Sequence, residues 1–386
     1  MRSRTPLAVL AATLTFLVAP GAAHAAATPT GPANPTAHSL PRPTGPHAVG
    51  VTTLHLTDPA RRDMWQPSRD RELMVSLWYP ARSRVGQPAA YLTPQAAALV
   101  LRALGAPDVP PAALSTVRTH ARTEAPPLPH AMPLVVLSPG FSLPRGTLTS
   151  LAVELASRGY AVAGIDHNFE ALGITFPDGT TTECLACARL EQAAEEGTTA
   201  ELGAAASRNR AADISFVLDR LTGATPAWRG ARLIDADRVA VVGHSLGGAS
   251  AVPAMLADRR VAAGGDMGGT VDVPAPGLDR PFLLLGTERH RPGQPDGSWD
   301  RTWAALTGAK HWLTVAGAGH NTFTDHPVIA EQLGLPLPED QTLSAARSTQ
   351  MTRAAVTAFV DRYLRGRPGR LLDDPARRYP EMSVWR

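Results

Sequence analysis

Lysine is almost missing from this chain. Lys310 is the only one among 37 basic residues, and the arginines that supply the rest are scattered without a dense run. That excludes the clustered cationic face of a nucleic-acid binder. Cysteine is nearly as scarce. Cys184 and Cys187 have no further ligands nearby to complete a zinc site. They also lack the strand-to-helix setting of a thioredoxin-type redox motif. There is no phosphate loop, no dinucleotide fingerprint, and no cluster of carboxylates or histidines at metal-ligand spacing. The expectation is chemistry that uses no cofactor and no metal. No internal repeat is visible.

What is present begins with a targeting pattern. Arg2 and Arg4 precede a largely apolar run from Leu7 to Val18, and Ala23-His24-Ala25 places small residues at the cleavage positions. Residues 1–25 therefore read as a secretory signal peptide, with export expected and Ala26 near the mature N-terminus. The apolar run is short for a membrane span. Removing two of the 37 basic residues leaves 35 against 34 acidic ones, so the exported chain is nearly neutral. In an oxidising compartment Cys184 and Cys187 are expected to close a local disulfide. With 44% hydrophobic residues the chain can bury a large core.

Residues 26–48 are rich in Pro, Ala and Thr and are expected to form a flexible lead-in. Residues 49–386 then read as one α/β domain with an insertion near 87–131. Val49–Leu56 and Leu73–Tyr79 have strand composition. The insertion, dense in Pro and Ala, is expected to shape or cover a pocket and to hold one short helix, Pro94–Leu104. From Met132 strands alternate with helices. The strands are expected at Pro133–Leu137, Tyr160–Ile165, Arg238–Val242, Val261–Gly265, Pro281–Leu285 and Lys310–Val315. The helices fall at Gly146–Arg158, Glu201–Leu221, Ala249–Ala257 and Thr349–Leu364. Such alternation implies a doubly wound, mostly parallel sheet flanked by helices. A long loop is expected through Cys187, and the last twenty residues read as an irregular tail.

The chemistry is carried by residues 239–249, Val-Ala-Val-Val-Gly-His-Ser-Leu-Gly-Gly-Ala. A β-branched strand ends at Gly243-His244-Ser245-Leu246-Gly247 and a small-residue helix follows, which is the form of a nucleophile elbow with Ser245 at its tip. A serine hydroxyl needs a base, and the base needs an orienting acid. In elbow folds both partners follow the serine in the chain, acid first. Downstream histidines are His290, His311, His320 and His326. His320 stands on a glycine-rich loop just past the last expected core strand, where open α/β sheets place their sites. His311 begins that strand, and His290 and His326 read as solvated. For the acid, Asp266 ranks ahead of Glu288; both end strands, but Glu288 is flanked by basic residues that suit a surface ion pair. The oxyanion donors are expected to be the N–H groups of Leu246 and of Phe141, in Ser138-Pro139-Gly140-Phe141-Ser142. His244 is expected to pack under the elbow, and Asp166-His167 to line the pocket rim.

Across about residues 49 to 366 the chain resembles the secreted α/β-hydrolases of the platelet-activating-factor acetylhydrolase type, the isoform II family. The resemblance rests on Ser76-Leu-Trp-Tyr-Pro-Ala, Leu137-Ser-Pro-Gly-Phe, Ile165-Asp-His, Gly243-His-Ser-Leu-Gly-Gly, Asp266, and His320-Asn-Thr-Phe-Thr-Asp. It implies an α/β-hydrolase fold, a triad acid on the strand directly after the nucleophile helix, hence Asp266, and an oxyanion donor at Phe141. It further implies calcium-independent hydrolysis of short or oxidised acyl chains from phospholipids. The chain has Ser-Pro-Gly where the animal enzymes have Ser-His-Gly, and its insertion shows no amphipathic membrane-binding helix. The expected function is a secreted serine ester hydrolase acting on a small-molecule or lipid ester, with transient contact to a lipid surface. An extracellular lipase or polyester hydrolase with Glu288 as the acid is the alternative. A non-catalytic binding protein on a hydrolase scaffold is a second one.

Overall fold

Alternation along the strands decides the layering. The computed structural model describes residues 38–386, and the expected signal peptide lies outside them. Strands are β1 Ala48–Arg62, β2 Asp70–Ala81, β3 Ala121–Thr123, β4 Met132–Ser138, β5 Ala161–His167, β6 Ile174–Thr175, β7 Thr181–Thr182, β8 Ile234–His244, β9 Val261–Met267, β10 Phe282–Thr287, β11 Lys310–Val315 and β12 Met382–Trp385. Helices are α1 Pro94–Ala103, α2 Ala112–Ser115, α3 Thr149–Ser157, α4 Leu185–Glu196, α5 Thr199–Thr222, α6 Leu246–Ala249, α7 Ala251–Ala257, α8 Ser298–Ala305, α9 His326–Leu333 and α10 Ala345–Arg365.

Ten strands form one sheet in the order β12-β11-β10-β9-β8-β4-β5-β2-β1-β3, and β6 and β7 pair apart from it. The run from β11 to β5 is parallel throughout. Such strands are covered on both faces and are apolar at nearly every position; all seven residues of β4 are buried. Leu134 and Val136 face a layer that includes Ile214, Val217 and Leu218 of α5. Val135 and Leu137 face α3 and α10 through Leu151, Leu155, Val356 and Phe359. Each such side chain taken out of water contributes about 1.5–3 kcal/mol. The layering therefore fixes the strand register, and with it the rim where the strands end. No helix among the described residues is long and apolar enough to cross a membrane.

Four stretches differ from expectation. The part of the lead-in that is described is strapped down instead of flexible. The Leu40 N–H donates to the Arg118 carbonyl at 3.0 Å, Thr44 donates twice to the Glu154 carboxylate, and Arg353 donates to the carbonyls of Pro41 and Arg42. Buried polar groups on α3 and α10 need partners, and this segment supplies them. The tail ends in β12, antiparallel to β11, because the unpaired edge of a core strand is a template for another. The stretch around the cysteines holds the β6–β7 pair and α4. Cys184 and Cys187 form the expected disulfide at the start of α4, with Cα atoms 5.4 Å apart. The insertion carries two helices and a strand, α1, α2 and β3, where one helix was expected, and Ala97, Leu101 and Leu114 of its helices pack with Val328 and Ile329 of α9.

Candidate active site

Ser245 stands between β8 and α6 with φ 54° and ψ −128°. A positive φ costs a non-glycine residue about 1–2 kcal/mol and persists only where the surroundings impose it. Here they do: the Ser245 N–H donates to the Met267 carbonyl at 3.0 Å, and its own carbonyl accepts from Ala249 at 3.0 Å. The flanking glycines are obligatory. A Cβ on Gly243 would lie 2.2 Å from the Gly247 carbonyl carbon, and one on Gly247 would lie 2.1 Å from the Ser138 carbonyl oxygen.

His320 follows β11 and opens a short 3₁₀ turn, His320–Phe323. Its Nε2 lies 3.0 Å from Ser245 Oγ. The ring keeps one edge open to solvent, yet desolvation by the surrounding loops lowers its pKa below the ordinary value of 6.5. The imidazole is therefore neutral and able to accept a proton near pH 7. His244 packs beneath, as expected. Its Nε2–H donates to the His320 carbonyl at 2.8 Å, which ties the elbow to the histidine loop. Burial first, and then the field of His320, push His244 down to about 3. It stays uncharged.

Asp266 lies in β9, fully buried. Its Oδ1 accepts the Gly269 N–H at 2.8 Å, and its Oδ2 has no partner among the described residues. Burial raises its pKa well above the ordinary carboxyl value. The structure thus joins Ser245 to His320 and places Asp266 under the elbow, where a Cβ on Gly269 would touch both Oδ1 and the Ser245 carbonyl; no hydrogen bond links it to His320. Glu288 is exposed and ion-paired with Arg291; its other oxygen is 3.5 Å from the Gly317 N–H. The Phe141 and Leu246 N–H groups, the expected oxyanion donors, have no acceptor among the described residues. The loop before Phe141 lies against the elbow, since a Cβ on Gly247 would also be 2.5 Å from the Pro139 carbonyl oxygen.

Other residues sit differently from expectation. Asp166 and His167 are buried rather than at a rim. Asp166 pairs with Arg145, and His167 lies between Ser138 and Asp213. His290 is half-buried against the Trp299 ring, with Nδ1 3.1 Å from Thr287 Oγ1. Burial and then the nearby His320 push it to about 4. Its place one residue past Arg289, just after β10, put it at the same rim as His320; the polar neighbours concealed this. No group of three or more His, Cys, Asp or Glu among the described residues is placed to hold a metal.

Comparison with known proteins places the chain among esterases. The family described as "Platelet-activating factor acetylhydrolase, isoform II" matches residues 33–221. A solved structure described as a ferulic acid esterase from Streptomyces cinnamoneus superposes with a TM-score of 0.79 at 44% identity, covering 90% of this chain and 99% of that one. A probable 1-alkyl-2-acetylglycerophosphocholine esterase of Arthroderma benhamiae is 26% identical over 400 residues, spanning 90% of this chain and 94% of that protein. The chain is similar to the platelet-activating factor acetylhydrolase isoform II family over residues 33–221. The platelet-activating factor acetylhydrolase of Cavia porcellus is 23% identical over 56% of this chain and 52% of its own length. Fold and activity class follow from the family-model match, the esterase relative and the structural neighbour together: an α/β-hydrolase that hydrolyses carboxylic esters.

Proposed function

We propose that this chain is a secreted esterase that cleaves short acyl esters through an acyl-serine intermediate, with Ser245 as nucleophile, His320 as base and Asp266 as the orienting acid. The observation that carries this reading is the 3.0 Å approach of His320 Nε2 to the hydroxyl of a serine held at positive φ. His320 takes the Ser245 proton as Oγ attacks the ester carbonyl, then returns it to the leaving alcohol. It next deprotonates the water that releases the acid. The N–H groups of Phe141 and Leu246 receive the oxyanion, each contributing roughly 3–4 kcal/mol. Asp266 supports the imidazolium through Oδ2, the buried carboxyl oxygen that has no hydrogen-bond partner among the described residues. Platelet-activating-factor-like phospholipids, met transiently at a lipid surface, belong to this short-acyl class. A second reading, esters of ferulate-like aromatic acids, is favoured by the 44% identity to the ferulic acid esterase structure.

A fluorophosphonate probe tests the mechanism. The expected result is an adduct on Ser245 of the folded protein that Ser245→Ala abolishes. No adduct with full folding would favour a binding protein. Rates across acetyl, butyryl, octanoyl and feruloyl esters, with and without a phospholipid head group, then decide the acyl class. Fastest turnover of octanoyl and longer chains would overturn the short-acyl reading in favour of a lipase.

A further inference from the structure

The end of β4 meets an unusual density of buried charge. Arg210 and Asp213 of α5, Arg71 of β2, and Glu170 and His167 beyond and at the end of β5 are each no more than 1% exposed. Arg71 Nη2 is 2.6 Å from Asp213 Oδ2, and His167 Nδ1 is 2.8 Å from that same oxygen. Arg210 Nε donates to Glu170 Oε2 at 2.7 Å. Buried ion pairs of this kind cost several kcal/mol per ion in desolvation, and well-packed apolar residues often serve stability equally well. Stability alone does not account for them.

Their contacts with one loop do. The Ser138 hydroxyl is 2.9 Å from His167 Nε2. The Pro139 carbonyl accepts from Arg210 Nη1 at 2.5 Å. The Ser142 N–H donates to the Glu170 carbonyl at 3.0 Å, and Ser142 itself sits at φ 64°. The loop is thus held at its start, near its middle and at its end by members of one charged cluster. The Phe141 amide lies between two of the three holding points. We propose that Arg210, aligned by Glu170, is the positioning residue that fixes the Phe141 N–H as an oxyanion donor, with Ser138–His167–Asp213 as the second strut. This rests on the reading of Phe141 under Proposed function. His167 acts here as a neutral strut, since burial and the Arg210 charge lower its pKa. With Ser138 fully buried, this second Ser-His-Asp arrangement is out of substrate's reach.

Arg210→Lys keeps a cation but loses the fork that spans Glu170 and Pro139. Losing one oxyanion donor outright costs about 10²–10³ in kcat, so a loosened one is expected to cost roughly 10- to 100-fold, with KM moving less than about threefold. Affinity for a trifluoromethyl ketone, whose adduct on Ser245 carries the oxyanion, falls by the same factor as kcat/KM. Arg210→Met with Glu170→Gln removes both charges together and leaves no stranded carboxylate if the lysine variant folds poorly; it is expected to show the same pattern. Unchanged kcat in either folded variant, or a loss confined to KM, would overturn the proposal. So would a lowered kcat with unchanged ketone affinity. Ser245→Ala separates the two readings. If it retains activity, the active-site assignment itself fails; if it is inactive while Arg210→Lys is fully active, only the clamp fails.

Discussion

Asp266→Asn and Glu288→Gln, compared on a soluble acetate ester, decide which acid serves His320. The asparagine keeps an acceptor for the Gly269 N–H at the Oδ1 position and puts an NH₂ group where the partnerless Oδ2 stood. An amide there cannot stabilise the imidazolium and presents a donor to a ring nitrogen that must itself donate. That mismatch costs on the order of 10⁴ in kcat where the acid is part of a triad. Stability moves the other way. Burial raises the Asp266 pKa, so between the ordinary carboxyl value and that raised value the folded state holds a proton that the unfolded chain has released; above it the carboxylate is ionised. Wild-type stability from this group is therefore full below the ordinary carboxyl value and declines as pH rises from there to the raised folded value, by about 1.4 kcal/mol per pH unit. The asparagine variant lacks that decline, so its unfolding free energy relative to wild type improves with pH at that slope. Glu288 is exposed with its Arg291 partner, so Glu288→Gln is expected to change stability by about 0–1 kcal/mol and kcat by less than about threefold. Steady-state kinetics and urea unfolding at several pH values read both. Activity lost in Glu288→Gln and kept in Asp266→Asn would refute the reasoning.

Because desolvation lowers the His320 pKa and only the neutral ring can accept a proton, the acid limb of kcat/KM against pH is expected below 6.5. His244→Ala removes the hydrogen bond to the His320 carbonyl; at about 0.5–1.5 kcal/mol for such a bond, kcat and the rate of fluorophosphonate labelling are expected to fall up to about tenfold. Gly247→Ala drives a methyl into the Ser138 and Pro139 carbonyls and must push elbow and oxyanion loop apart, for an expected loss on the order of 10² in kcat. Asp325 accepts the Ser150 N–H at 3.1 Å, and burial pushes its pKa up to about 8. The folded state therefore loses stability as pH rises from 3.8 to about 8, and Asp325→Asn is expected to flatten that decline in chemical denaturation.

The parallel core and the elbow were legible because each rests on short-range pattern. The unbroken apolar run of β4 says it is covered on both faces. Gly243 and Gly247 flank Ser245 at the spacing that a crowded turn demands. The nearness of His320 to Ser245 was legible from chain order and from its position just past β11. β12 was missed because an edge strand of four residues, Met382–Trp385, among arginines and prolines shows too little alternation to rise above an irregular tail. The strap over residues 38–47 was missed because most of its hydrogen bonds engage its backbone, which composition does not report.

The charged cluster behind the oxyanion loop was hidden for a different reason. Arg210 and Asp213 sit three apart on α5, a spacing that in sequence reads as a solvated helical face. Nothing local distinguishes such a face from one turned inward. What does so is Pro139, 71 residues earlier, whose carbonyl has no strand partner and must find a donor. The rim where a strand stops leaves backbone groups that the sheet cannot satisfy. In this chain those leftover groups belong to the loop that carries Phe141, so the polar groups that satisfy them also decide how rigidly the proposed oxyanion donor is held. Buried charge and reactivity are then two consequences of where β4 ends.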